Sequence, residues 1–193
     1  MKTFGEIQWS GKHWCKSGDK TQYRIEHEAG TVRLCFQQSN EIEDWLYNLL
    51  CVIPCPCKDG MATLGSSLVW WQARDQILHD LEATFAIMRP YRLEVHGYSH
   101  GKFVAERGWP DILRLARRYD VKQAAHVWGG PKAWIFCKED FSAWTHTAHY
   151  GDIAAAYPCW PFKHQGLQVR IGDPDDMLSP LYHEPWVYRE AGV

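Results

Sequence analysis

The chain has 193 residues, enough for one sizeable core, and a net charge of −2 with no basic block, which argues against a nucleic-acid-binding protein. No apolar run reaches the length of a membrane span, and Met1-Lys2-Thr3-Phe4-Gly5-Glu6 has no apolar signal core, so the expectation is a single domain over residues 1–193 in the cytoplasm. Seven cysteines, an odd number without a secretory signal, read as mostly free thiols, and 11 tryptophans suit an aromatic core or an apolar cleft.

Residues 1–20 show no clear period and read as an irregular or helical lead-in. Gln22 to Glu28 alternates polar and apolar, Gly30 marks a turn, and Thr31 to Phe36 is a second strand, so 22–36 is a predicted β-hairpin. Ser39-Asn40 is a helix N-cap signal. Ile42, Trp45, Leu46 and Leu49 follow at helical spacing, which predicts a short amphipathic helix over 40–50. Cys51 to Asp59 holds two prolines and cannot be regular helix. Cys51, Cys55 and Cys57 follow C-x3-C-x-C, which is not a standard zinc spacing, and no second ligand pair follows; no metal site is expected.

Gly60 to Ser67 reads as a Gly/Ser-rich loop. A helix is predicted from Leu68 to about Met88, with Trp71, Ile77, Leu78, Leu81 and Phe85 as its apolar stripe and Pro90 as its stop. Tyr91 to Val95 is a strand. After the turn at 97–101 a helix begins, is interrupted by Gly108-Trp109-Pro110, and resumes over Asp111 to Tyr119. Val121 to Trp128, Ala143 to Tyr150 and Leu167 to Ile171 are further strands. Alternation of strand and helix predicts an α/β fold, a three-layer sandwich whose mostly parallel central sheet carries the N-terminal hairpin. Chemistry in such sheets gathers at the carboxyl ends of the strands, where Ser99, Gly129, Asp152 and His183 would meet.

The turn itself, Gly97-Tyr98-Ser99-His100-Gly101, is a Gly-x-Ser-x-Gly corner between a strand and a helix. Its glycines let the chain reverse sharply and hold Ser99 out where a base can reach it. A serine hydroxyl needs such a base to become nucleophilic. Asp152, beyond a later strand, is the favoured carboxylate, although it also suits a plain turn after Gly151. Among ten histidines, His183 follows the last strand and is favoured over His164, which precedes it; reach to Ser99 decides between them. His96, His100, His146 and His149 read as structural or rim residues. The backbone N–H groups of His100 and Ser39 are the predicted oxyanion donors, and Ser39 also suits a plain N-cap.

Taken together, several segments resemble the class 3 lipases of the α/β-hydrolase superfamily. They are Phe36-Gln37-Gln38-Ser39, Asp44-Trp45-Leu46-Tyr47-Asn48-Leu49, Gly97-Tyr98-Ser99-His100-Gly101, Gly130-Pro131, Asp152 to Pro158, and His164-Gln165-Gly166. The match spans roughly residues 22–190. The resemblance implies an esterase or lipase acting through an acyl-enzyme, with no metal or organic cofactor. It also implies an ester or lipid-like substrate and transient contact with a lipid surface. The helix at 40–50 would be a lid with Trp45 as its contact residue, or a fixed core helix, and the Ser39 hydroxyl would add an oxyanion donor. Gln37-Gln38 departs from the family's Arg-Gly, and the helix is cut short at Gly108-Trp109-Pro110. Lys102 stands where a small residue is usual and must snorkel or open that contact. A thioesterase, amidase or peptidase on the same fold, or a binding protein on a decayed hydrolase scaffold, are the alternatives.

Overall fold

The computed structural model describes residues 1–7, 9, 15–17, 21–37 and 47–193. Its centre is a seven-stranded sheet. The strands are β1 (Cys15–Ser17), β2 (Thr21–Glu28), β3 (Thr31–Phe36), β6 (Arg92–Tyr98), β7 (Lys122–Trp128), β9 (Trp144–His149) and β10 (Leu167–Ile171), side by side in that order. A second, antiparallel sheet holds β4 (Pro54–Cys57), β5 (Gly60–Thr63) and β8 (Trp134–Cys137). The β2–β3 hairpin is antiparallel, with Tyr23 opposite Phe36. From β3 onward every neighbour in the large sheet is parallel. This is the predicted α/β architecture with its N-terminal hairpin.

Both faces of the sheet are covered, and the strand period sorts the residues between them. Val32, Leu34, Phe36, Leu93, Val95, Ala125 and Val127 face the main core, under helices α1 (Leu64–Met88) and α2 (His100–Arg118). Cys35, Tyr98 and Trp128 point the other way. There they meet Phe4, Ile7 and Trp9 of the N-terminal segment and Val187 and Tyr188 of α4 (Pro185–Glu190). A four-residue helix, α3 (Ile153–Ala156), follows β9. Among the described residues no helix is long and apolar enough to cross a membrane.

Several sequence expectations need correction. The loop expected over 60–67 is instead β5 and the first turn of α1. Thr63 ends the strand and caps the helix, accepting from the Ser66 N–H at 3.2 Å. The buried stripe of α1 runs through Val69, Trp70, Ala73, Ile77, Leu81 and Phe85, whereas Trp71 lies about 100° around the helix and is 51% exposed. β1, β4 and β8 were not anticipated. Of the helix expected over 40–50, residues 40–46 lie outside the described residues, while 47–49 are helical.

The second helix is continuous through Gly108-Trp109-Pro110. Proline has no N–H, so the carbonyl four residues earlier, on Glu106, loses its helical donor. The Trp134 indole supplies one, donating to the Glu106 carbonyl oxygen at 2.9 Å. Gly108 has its own reason for lacking a side chain: a Cβ there would stand 2.5 Å from the Trp70 ring.

Candidate active site

β6 ends and α2 begins around a single residue. Ser99 occupies φ 57°, ψ −122°, a positive-φ backbone that residues with a side chain rarely adopt. The flanking glycines are needed for close approach. A Cβ at Gly97 would lie 2.6 Å from the Gly101 carbonyl oxygen, and one at Gly101 would lie 2.3 Å from that of Phe36. Gly130, at φ 84°, leaves room for the Ser99 carbonyl, which a Cβ would approach to 2.3 Å. The corner is pinned by the Ser99 N–H donating to the Trp128 carbonyl at 3.1 Å.

His183 arrives from the far end of the chain on a 3-10 turn, Pro180–His183, capped by the Ser179 hydroxyl. Its Nε2 lies 2.7 Å from Ser99 Oγ and its Nδ1 lies 3.0 Å from Asp152 Oδ2. The imidazole lies along the Tyr98 ring at a centroid distance of 5.3 Å, and the Tyr98 hydroxyl donates to the His183 backbone carbonyl. The side chain remains 19% exposed.

Asp152 is buried and caps α3. Its Oδ1 accepts from the N–H groups of Ala154 at 2.8 Å and Ala155 at 3.1 Å. Its Oδ2 takes the Tyr188 hydroxyl together with His183. Burial alone would raise this carboxyl. The hydrogen bond and charge of His183, with the Tyr188 and Ala155 donors, outweigh it and hold the group below its ordinary value. The Asp152 carboxylate can only accept, so His183 Nδ1 carries a proton toward it. Its Nε2 faces the Ser99 hydroxyl.

His100 is the first residue of α2, where helical N–H groups point out of the N-terminus beside Ser99. Its side chain is buried, with Nδ1 3.1 Å from Asn48 Oδ1. Ser39 and Trp45 lie outside the described residues.

His164 is not brought to Ser99. Its Nε2 faces the Ala155 carbonyl at 2.7 Å, and a carbonyl only accepts, so Nε2 carries the proton. Nδ1 then accepts from the Lys102 ammonium at 3.1 Å. Burial, the adjacent His146 and the Lys102 charge push His164 well below its ordinary value, keeping it neutral. Lys102 neither snorkels nor opens the contact. It is fully buried, paired with Glu106 one turn along α2, and it donates to the Pro131 carbonyl at 2.7 Å. Glu106 in turn accepts from the N–H groups of Ala133 and Gln165, both at 3.2 Å. This pair ties the segment after Gly130 to the segment around His164.

His146, His149 and His96 are packed against other rings. His146 is buried with its ring tilted against that of His164, centroids 4.0 Å apart, and its Nε2 3.0 Å from the Gly129 carbonyl. His149 stacks on Tyr182, the neighbour of His183, at 4.1 Å, and its Nδ1 accepts from the Gly151 N–H in the turn before Asp152. His96 stacks on Trp128. Sequence reasoning missed Tyr188, Tyr98 and the Lys102–Glu106 pair. Tyr98 stands inside the Gly-x-Ser-x-Gly run, and its outward strand parity was the available signal.

An apolar cleft of about 270 Å³ is lined by Asn48, Leu49, Pro131, Ile153, Ala154 and Tyr157, of which Pro131 follows Gly130, Ile153 follows Asp152 and Asn48 meets His100. Leu49 is 65% and Ile153 45% exposed at its mouth.

No protein-family model matches the sequence, and no curated protein matches it. Solved structures do match. The triacylglyceride lipase of Rhizomucor miehei superposes with a TM-score of 0.68 at 16% identity, over 83% of this chain and 66% of that one. Lipase II from Rhizopus niveus gives 0.70 at 17%, over 86% and 74%. A triacylglycerol lipase described as having a serine protease triad as its catalytic centre gives 0.69 at 18%, over 83% and 65%. The chain spans just under two-thirds of the length of the first and third of these lipases. Its fold is theirs, an α/β-hydrolase-like sandwich, as the resemblance to the class 3 lipases implies.

Proposed function

We propose that this protein is a serine hydrolase of carboxylic esters with lipid-like acyl groups. The observation that carries the reading is the 2.7 Å approach of His183 Nε2 to a Ser99 hydroxyl held at positive φ. In this reading His183 removes the Ser99 proton as Oγ attacks the ester carbonyl carbon. The tetrahedral oxyanion is received by the His100 N–H, with Ser39 as the second donor. As the carbon–oxygen bond breaks, His183 returns its proton to the departing alcohol and an acyl-Ser99 remains. Water, deprotonated by His183, then attacks the acyl carbon and releases the carboxylic acid and Ser99. Asp152 stays ionised throughout and steadies the imidazolium. The apolar cleft that Pro131 and Ile153 line, one residue past Gly130 and Asp152, suits an acyl chain better than a peptide backbone, which would need partners for its N–H and C=O groups. Trp45 is the proposed contact of a lid over that cleft.

The test is labelling by a fluorophosphonate probe, paired with hydrolysis of p-nitrophenyl esters of graded chain length. Labelling and turnover in the parent chain, both lost in Ser99→Ala, are the expected result. A folded parent chain that neither labels nor turns over any ester would sink the proposal.

A further inference from the structure

Away from the serine, a second cleft of about 180 Å³ opens between α1, α2 and the turn joining β4 to β5. Its charged lining is Lys58, Arg74, Arg107 and Arg114 against Asp59 and Asp111. Arg107 lies eight residues beyond Ser99, about 12 Å along α2 at 1.5 Å per residue.

The two carboxylates are already committed. Asp59 receives Arg114 through both oxygens, at 2.7 and 3.0 Å. Asp111 takes Arg114 at 2.6 Å, the Trp70 indole at 2.8 Å and Arg74 Nε at 3.1 Å. Arg107 is left over. It is 4% exposed, its Nε donates to Ser67 Oγ at 3.2 Å, and its guanidinium carbon stands 5.0 Å from the centre of the Trp134 ring. Among the described residues no carboxylate forms an ion pair with it, and its side chain lines the cleft. A cation buried to this degree without a counter-ion is costly, and an anion delivered through the opening would relieve that cost.

We propose that this cleft is a binding site for a small phosphate-type oxyanion, free or as a phosphomonoester. The terminal nitrogens of Arg107 present a planar fork that matches two phosphate oxygens, and Lys58 and Arg74 add charge at the rim. Trp71, half-exposed at the opening, offers a flat apolar wall for a group carried on the phosphate. The site shares no residue with the Ser99 cluster and stands whether or not the hydrolase reading does.

Calorimetric titration of the full chain at constant ionic strength tests this, with inorganic phosphate in one arm and glycerol 3-phosphate in the other. Saturable one-site binding is expected in at least one arm, weakened at least tenfold in Arg107→Gln. Arg74→Gln changes an exposed side chain and keeps Arg107 in its packing, so it checks the result if Arg107→Gln fails to fold; it should weaken binding several-fold. Tighter binding of glycerol 3-phosphate assigns a phosphomonoester, and equal binding assigns the free ion. No saturable binding in either arm, or equal affinities in the parent chain and Arg74→Gln, overturns the site.

Discussion

The Tyr188 hydroxyl donates to Asp152 Oδ2, the same oxygen that His183 Nδ1 approaches at 3.0 Å. Tyr188 is buried on α4, and burial followed by the nearby Asp152 charge pushes its phenol well above the ordinary value, so it stays a donor at all working pH. Its hydrogen bond helps keep Asp152 ionised in a buried position. Tyr188→Phe removes that donor without changing the ring. The variant should lose about tenfold in kcat for an ester, in line with one hydrogen bond to a charged group. The acid limb of its rate profile should move to higher pH, because Asp152 becomes easier to protonate. A rate loss with an unmoved limb would make Tyr188 a packing residue only.

Asp152→Asn keeps the shape of the carboxylate and removes its charge. The amide can donate to His183 Nδ1, which favours the tautomer with the proton facing Ser99. In the proposed mechanism this should lower kcat by about 10⁴-fold while leaving KM near the parent value. Steady-state kinetics on a short-chain ester measure it, and a loss under tenfold would remove Asp152 from the mechanism.

Lys102 and Glu106 form an ion pair with both side chains fully buried. Burial lowers the Lys102 ammonium and the Glu106 charge opposes that shift. Lys102→Met would strand a carboxylate among the Ala133 and Gln165 N–H groups. The expected cost is about 3–5 kcal/mol, as for other buried pairs broken on one side. Adding Glu106→Gln removes the stranded charge while keeping an accepting oxygen, so the double variant should recover part of the loss. Urea unfolding with an unchanged m-value reads both.

The corner at Ser99 was legible because its causes are local: two glycines, a strand before and a helix after. The parallel strands were legible because each is a β-prone run that lies between turn residues. Pro110 misled because its remedy is tertiary. Nothing near it in sequence announces that Trp134 will donate to the carbonyl it orphans. Lys102 misled in the same way. A lysine reads as a surface residue until Glu106, Pro131 and His164 are seen to surround its ammonium group. β4 was hidden by Pro54 and Pro56, which an edge strand tolerates because only one side of it is paired. His183 over His164 follows from topology, since a residue after the last strand can return to the sheet's carboxyl edge; His183 Nε2 lies 2.7 Å from Ser99 Oγ.

Glu94 lies on β6 on the face opposite the main core, buried beside Arg33 Nε at 3.0 Å and Arg92 Nε at 3.1 Å, with His96 Nε2 at 3.7 Å. The His96 imidazole and the Arg33 guanidinium outweigh the effect of burial and hold its carboxyl down at about 2, against an ordinary 4.5. A folded-state value below the unfolded one stabilises the fold wherever the carboxylate is ionised in both states. The contribution is therefore complete above the unfolded value and fades as pH falls toward the folded one. Glu94→Gln should lower the Tm at neutral pH. The gap to the parent chain should narrow below pH 4.5 and close near pH 2. Thermal unfolding followed by circular dichroism at several pH values measures the gap, and a gap that stays constant down to the acid end would mean that Glu94 stabilises by shape and not by charge.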